Sequence, residues 1–360
     1  MPMNAFVCVV NETAKDRPLA QNRLEELSRL CLTADMSVCG TSVINLREYN
    51  SATFIGSGQA QRLKTLAQEA EADLVVFNNS LNPRIQRNLE SMMDMCVVDR
   101  QEIILQIFAN RASTTEARLQ VELAQLQYSL PRLTRKWADL SQQRGGVKGS
   151  KGSGEKKLEL DRRTARERID RLKNEIARIG RQRQVQRNAR MNDDIPKIAI
   201  VGYTNSGKST LLNRISDASV LSEDKLFATL DTTTRRVCLP DGSKALFTDT
   251  VGFVSDLPHE LVDAFRSTLE EASYADILLI VVDASSPSFA TCWNTTREVL
   301  ESLDAWNKMR VIAVNKIDIA TEEQLAQVRG ALFSEPYKVE ISVTRGTNIT
   351  QLLDLLADIH

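Results

Sequence analysis

The chain has 360 residues, 42% of them hydrophobic and 26% charged, enough for two or three domains with cores of their own. No run reaches the ~20 apolar residues of a membrane span and no basic-then-apolar leader opens the chain, so a cytoplasmic protein without a membrane span is expected. Six scattered cysteines without a CxxC, and only two histidines, argue against a disulfide framework, a zinc site or a histidine base.

Residues 1–112 read as an α/β domain. Strands are expected at Phe6–Val10, Ser37–Ile44, Leu74–Phe77 and Cys96–Val98, with helical patterns at Ala20–Leu32, Gly58–Ala72 and Pro83–Met93 between them. Alternation of the two implies a mainly parallel sheet. Gly56-Ser57-Gly58-Gln59 opens the second helix. Two glycines at a strand–helix turn favour simple turn geometry over a second phosphate site, and whether ATP binds there stays open.

Residues 113–194 read as a helical arm. From Thr114 to Leu140, Leu119, Leu123, Leu126, Leu130 and Leu133 recur at helical steps, with Pro131 expected to kink or break the helix. A glycine-rich stretch at about 144–154 follows, and a second helix runs from Glu155 to Met191. The pair is expected to form an antiparallel hairpin with a thin apolar seam. The net charge of −1 hides an asymmetry here. Residues 131–190 carry 19 Lys and Arg against 7 Asp and Glu, a surplus of +12, which leaves −13 elsewhere. A charge run can be a solvated helix face. Beside a glycine-rich tip bearing Arg144, Lys148 and Lys151 it favours contact with a polyanion backbone. Trp137 near that tip either stacks on a base or, as the favoured reading, seals the hairpin.

Residues 195–360 return to an α/β pattern. Strands are expected at 197–201, 245–248, 277–283, 311–315 and 338–342, and helices near 208–216, 259–274, 291–305, 322–333 and 348–358. Between the first strand and helix lies Gly202-Tyr203-Thr204-Asn205-Ser206-Gly207-Lys208-Ser209, followed by Thr210. Strand, loop and helix in that order are the context that the GxxxxGK[ST] pattern requires. Backbone N–H groups and the helix dipole would cradle phosphates, Lys208 would reach the β- and γ-phosphates, and Ser209 would bind Mg²⁺.

Three further stretches refine this. Asp249-Thr250-Val251-Gly252 ends a strand, so Asp249 can hold Mg²⁺ through water and the Gly252 N–H can sense the γ-phosphate. Asn315-Lys316-Ile317-Asp318 ends another. A carboxylate at 318 can accept from N1–H and the exocyclic amine of guanine, whereas adenine would leave it unpaired, which favours GTP as the substrate. Ser342-Val343-Thr344 lies where a backbone N–H could bind guanine O6. Phe227-Ala228-Thr229-Leu230-Asp231 precedes a strand expected at Arg236–Leu239. Of the four threonines in and after this stretch, Thr229 is the favoured Mg²⁺ ligand and γ-phosphate sensor. Arg235 or Arg236 could pass for an arginine finger, but a charged strand edge is the favoured role. Phe253, after DxxG, cannot orient water as a glutamine would. Slow hydrolysis that needs outside help is therefore expected.

These residues carry a resemblance. Leu119–Leu126, Gly145–Glu155, Leu160–Arg163, Val201–Asn205, Leu226–Asp231 and Asp249–Phe253 are similar to the HflX family of ribosome-associated GTPases. The resemblance implies an N-terminal α/β domain with a long helical hairpin, then a P-loop GTPase domain. It also implies binding to the 50S subunit and 70S ribosome through rRNA, ribosome-stimulated hydrolysis of GTP, and splitting of stalled or idle 70S particles. It supports Thr229 as a Mg²⁺ ligand. Ser153 stands where the family usually has proline, and the further C-terminal domain of many members has no counterpart before His360. A monomer that binds no DNA is expected, and a nucleotide-gated assembly or hibernation factor without splitting activity is the alternative.

Overall fold

Strand and helix alternate along both halves of the chain, and each half builds its own sheet. The computed structural model describes residues 2–132, 153–190, 195–216, 227, 232–254 and 271–359, with the backbone alone for 153–158 and 182–190. These divide into two units, 1–110 with 114–186, and 111–113 with 187–360.

In the first unit, β1 (Asn4–Asn11), β2 (Ser37–Asn45), β3 (Leu74–Phe77) and β4 (Cys96–Asp99) form one parallel sheet in the order β2-β1-β3-β4. The run Ala5–Val10 is buried throughout, as a strand covered on both faces must be, whereas edge strand β2 is largely half-buried or exposed. Helices α1 (Ala20–Thr33), α2 (Ser57–Glu69) and α3 (Pro83–Met93) make the crossovers. Asn82 caps α3 by accepting from the Arg84 N–H at 3.0 Å, and Pro83 follows at the position where a missing N–H costs nothing.

Helix α4 (Arg100–Arg111) was not expected from sequence. It follows β4 with no loop; Ile103, Ile104, Leu105, Ile107 and Phe108 are buried, and its exposed side is confined to Gln106, Ala109 and Asn110. Helix α5 (Thr115–Ser129) starts on a Thr114 cap, and α6 spans Ser153–Arg190. The two meet along Leu119, Leu123, Ile169 and Leu172, with Leu126, Leu130, Ile176 and Ile179 beside them. Arg168 grips Glu122 through two hydrogen bonds of 2.7 and 2.8 Å. The end of α5 is fixed to the sheet by Arg132, which donates to Gln86 Oε1, the Leu81 carbonyl and Asp99 Oδ2. The tip residues Arg144, Lys148 and Lys151, and Trp137, lie outside the described residues.

In the second unit the strand order is β10-β9-β8-β5-β7-β6, from β5 (Lys197–Val201), β6 (Thr233–Cys238), β7 (Lys244–Asp249), β8 (Ile277–Asp283), β9 (Met309–Asn315) and β10 (Lys338–Glu340). All pairings are parallel except the hairpin of β6 with β7. Helices α7 (Lys208–Ile215), α8 (Phe289–Ser302), α9 (Glu322–Ala331) and α10 (Ile349–Ile359) belong to this unit. Ile200, Leu211, Phe247, Leu279, Val311, Ile341 and Leu352 lie in one core. The chain leaves β5 toward β7 and returns to β8 on the other side. That reversal opens a crevice at the carboxyl ends of the strands, where ligands of such sheets bind. No helix among the described residues is long and apolar enough to cross a membrane.

Candidate nucleotide site

The 202–209 loop leaves β5 inside that crevice. Its shape depends on Gly207, at φ +100°, where a Cβ would run into Asn315 Nδ2. Asn205 also adopts the left-handed region at φ +60°, which asparagine tolerates. Lys208 is buried and donates to the Tyr203 carbonyl at 2.8 Å. Burial pulls its ammonium down to about 8, with the Asp249 carboxylate opposing the shift. The hydroxyls of Thr204 and Ser206 are buried without a hydrogen-bond partner among the described residues. Unsatisfied buried donors beside an ammonium suit an anion rich in acceptor oxygens.

The 249–253 stretch is bound to this loop through its backbone. Ile200 pairs with Asp249 across β5 and β7, the Phe253 N–H donates to the Gly202 carbonyl at 3.1 Å, and the Thr204 N–H donates to the Phe253 carbonyl at 2.7 Å. A Cβ on Gly252 would stand 2.8 Å from both Lys208 Nζ and Thr204 Cα, so only glycine lets its N–H approach there. Ser209 Oγ donates to Asp249 Oδ2 at 2.6 Å. A hydroxyl and a carboxylate in contact form a hard oxygen donor set, and these two could hold a Mg²⁺ ion.

Other members of the stretch serve packing. Thr250 is buried and donates its hydroxyl to the Ile200 carbonyl at 2.8 Å, and Val251 is 4% exposed. Phe253 is 1% exposed, so its ring belongs to the core, and its link to the site is its backbone.

The residues expected to read the base gather on the other side of the loop. Asn315 Nδ2 donates to the Ser206 carbonyl at 2.9 Å, and Asn315 Oδ1 accepts the Val343 N–H at 3.1 Å. Of the backbone N–H groups in Ser342–Thr344, that of Val343 is thus engaged by Asn315. Asp318 accepts from Thr344 Oγ1 at 3.4 Å and lies 3.5 Å from Arg345 Nε. A hydrogen bond from Ser342, then the Arg345 charge and Thr344, hold its carboxyl below the usual range. Lys316 pairs with Asp283 at 2.7 Å. The sequence reading missed Asp283, although an aspartate ending the apolar run Ile277–Val282 was visible. Gly202–Ser209, Asp249–Gly252, Asn315–Asp318 and Ser342–Thr344 therefore converge. Phe227 is buried, at φ +55°, while Ala228, Thr229, Leu230 and Asp231 lie outside the described residues.

Residues 197–316 match the family described as 50S ribosome-binding GTPase. Residues 111–190 match the GTP-binding GTPase middle region, and 21–109 match the GTP-binding GTPase N-terminal family. A GTPase HflX of Treponema denticola is 51% identical over 342 residues, covering 93% of this chain and 87% of that one. The GTPase HflX of Escherichia coli is 38% identical over 335 residues, covering 93% and 78%. Among solved structures, the complex of SsGBP with GDP is 25% identical with a TM-score of 0.55, covering 99% of this chain and 98% of that one. A GTP-binding protein of Sulfolobus solfataricus in complex with GDP, 24% identical with a TM-score of 0.51, shares the fold over 99% and 98%.

Proposed function

We propose that this chain, which belongs to the HflX family and is a GTPase, directs its hydrolysis of GTP to the ribosome: it binds the large (50S) subunit and splits stalled or idle 70S particles. The observation that carries the nucleotide part is Asn315, one side chain that ties the phosphate loop at Ser206 to the base loop at Val343. Phosphate and base recognition are thereby set in one frame. The ribosome part rests on the match of 197–316 to a 50S ribosome-binding family and on the +12 surplus over 131–190.

In this reading Lys208, the Gly252 N–H and the amino end of α7 stabilise charge on the γ-phosphate as water displaces GDP. Bound Mg²⁺ would neutralise phosphate charge. Ser209 and Asp249 would hold it, Asp249 through water, and Thr229 would complete the set. The arm of 113–194, between domains 1–112 and 195–360, meets rRNA through Arg144, Lys148 and Lys151. The protein acts as a cytoplasmic monomer.

GTP turnover measured alone, with 30S and with 50S subunits tests the proposal. A rise of orders of magnitude with 50S is expected, and an unchanged rate would refute it. Sedimentation of 70S particles with protein and GTP then separates splitting from an assembly or hibernation role, which would leave the particles whole.

A further inference from the structure

Lys316 sits at φ +65°, a backbone region that lysine rarely enters. Such a conformation persists where its surroundings fix it. What fixes it here is the neighbouring strand. Asp283 closes β8 directly opposite Asn315, and the Ala284 N–H donates to the Asn315 carbonyl at 2.9 Å. Asp283 Oδ2 takes the Lys316 ammonium at 2.7 Å.

The carboxylate is itself held before it meets the lysine. Its Oδ1 accepts from the N–H and the hydroxyl of Ser285, at 2.9 and 2.6 Å. The Ser285 carbonyl in turn accepts from Gln324 Nε2 at 2.9 Å, and Gln324 belongs to the capping box that opens α9. Three elements thus converge on one acid. Two carboxylates, Asp283 and Asp318, stand near the base loop, and they divide the work. Asp283 engages Lys316, while Asp318 keeps longer contacts of 3.4 and 3.5 Å to Thr344 and Arg345.

We propose that Asp283 is a positioning residue for guanine nucleotide binding, holding the Lys316 stem across the base plane. This deepens the reading of Asn315–Asp318 as the base-recognition loop and rests on it. Lys316 would touch the nucleoside rather than the phosphates. Losing its orientation should therefore weaken GDP, GTP and IDP by the same factor, roughly three- to tenfold for a partly buried ion pair.

The test is calorimetric binding of the three nucleotides to the full chain as wild type, Asp283→Asn, Lys316→Ala and the double variant. Asparagine keeps an acceptor for Ser285 and removes the charge. Equal losses for all three nucleotides are expected, with a double variant no weaker than Lys316→Ala alone. If Lys316→Ala binds GDP like wild type, the base-loop reading itself fails. If Lys316→Ala weakens binding but Asp283→Asn does not, or if the two losses multiply, the positioning role is overturned. Should Asp283→Asn lower the melting temperature of the nucleotide-free protein, Ser285→Ala decides. It keeps the charge but loosens its aim, and the same uniform loss, only smaller, is expected. Unchanged affinity in that variant would overturn the role.

Discussion

Asn315 and Ser206 stand 109 positions apart and share a buried hydrogen bond of 2.9 Å, Nδ2 to carbonyl, with Asn315 only 3% exposed. The same side chain accepts the Val343 N–H at 3.1 Å. Alanine at 315 would strand a buried carbonyl and a buried N–H at once. Each orphaned group costs about 1–3 kcal/mol, so a loss of about 2–6 kcal/mol is expected in urea unfolding of the nucleotide-free protein. GDP affinity should fall more than tenfold, since about 1.4 kcal/mol of lost preorganisation is enough for that. A variant with wild-type stability and wild-type affinity would show that the bridge joins nothing of consequence.

Asp318 is held in its charged form by Ser342, Arg345 and Thr344, so at neutral pH it can accept hydrogen bonds from a base, as proposed. Asparagine presents an amide donor instead. Asp318→Asn should exchange guanine for xanthine preference, because xanthine offers a carbonyl where guanine has its amine. Competition between GDP and XDP measured by calorimetry checks this. Undiminished guanine preference in the variant would move base recognition elsewhere.

Much of this was legible in the sequence because local pattern and local structure agree. Glycine spacing around Lys208, an apolar run before it and helical spacing after it specify one loop, and the structure builds that loop between β5 and α7. What was not legible came from contacts distant in sequence. Asp283 looked like any polar residue closing a strand, and only the pairing of β8 with β9 sets it beside Asn315 and Lys316. Phe253 raised a question about water. Its 1% exposure answers a different one, since the ring fills the core while its backbone holds Thr204 and Gly202. Helix α4 went unseen because the short apolar cluster Ile103–Phe108 does not by its pattern alone distinguish a helix from a buried strand.

Lys208 should make nucleotide binding pH-dependent. Burial lowers its ammonium from 10.5 to about 8, so the unfolded chain binds more protons than the folded one between those values. Stability of the nucleotide-free protein should therefore rise with pH across that window. Nucleotide affinity should move the other way. Phosphates favour the ammonium, so the complex takes up a proton that the free protein lacks, and affinity falls by as much as about tenfold per pH unit above 8. Calorimetry of GDP binding at pH 9 in two buffers of different ionisation enthalpy reads the uptake directly. Identical apparent enthalpies in the two buffers would sink the linkage.

The arm should separate ribosomal stimulation from intrinsic turnover. Leu172 is fully buried in the seam with Leu119, Leu123 and Ile169, all in the unit that does not carry the nucleotide loops. Deleting its side chain leaves a cavity between two helices with little other core, at a cost of about 2–5 kcal/mol. Leu172→Ala should loosen the helix pair while GTP turnover by the protein alone stays as it was. If the arm carries the basic tip to rRNA, stimulation by 50S subunits should fall several-fold, with weaker binding to the subunits at a given salt concentration. Turnover with and without 50S subunits, set beside helix content from circular dichroism, checks both halves. A loosened arm with full stimulation would assign ribosome contact to another part of the chain.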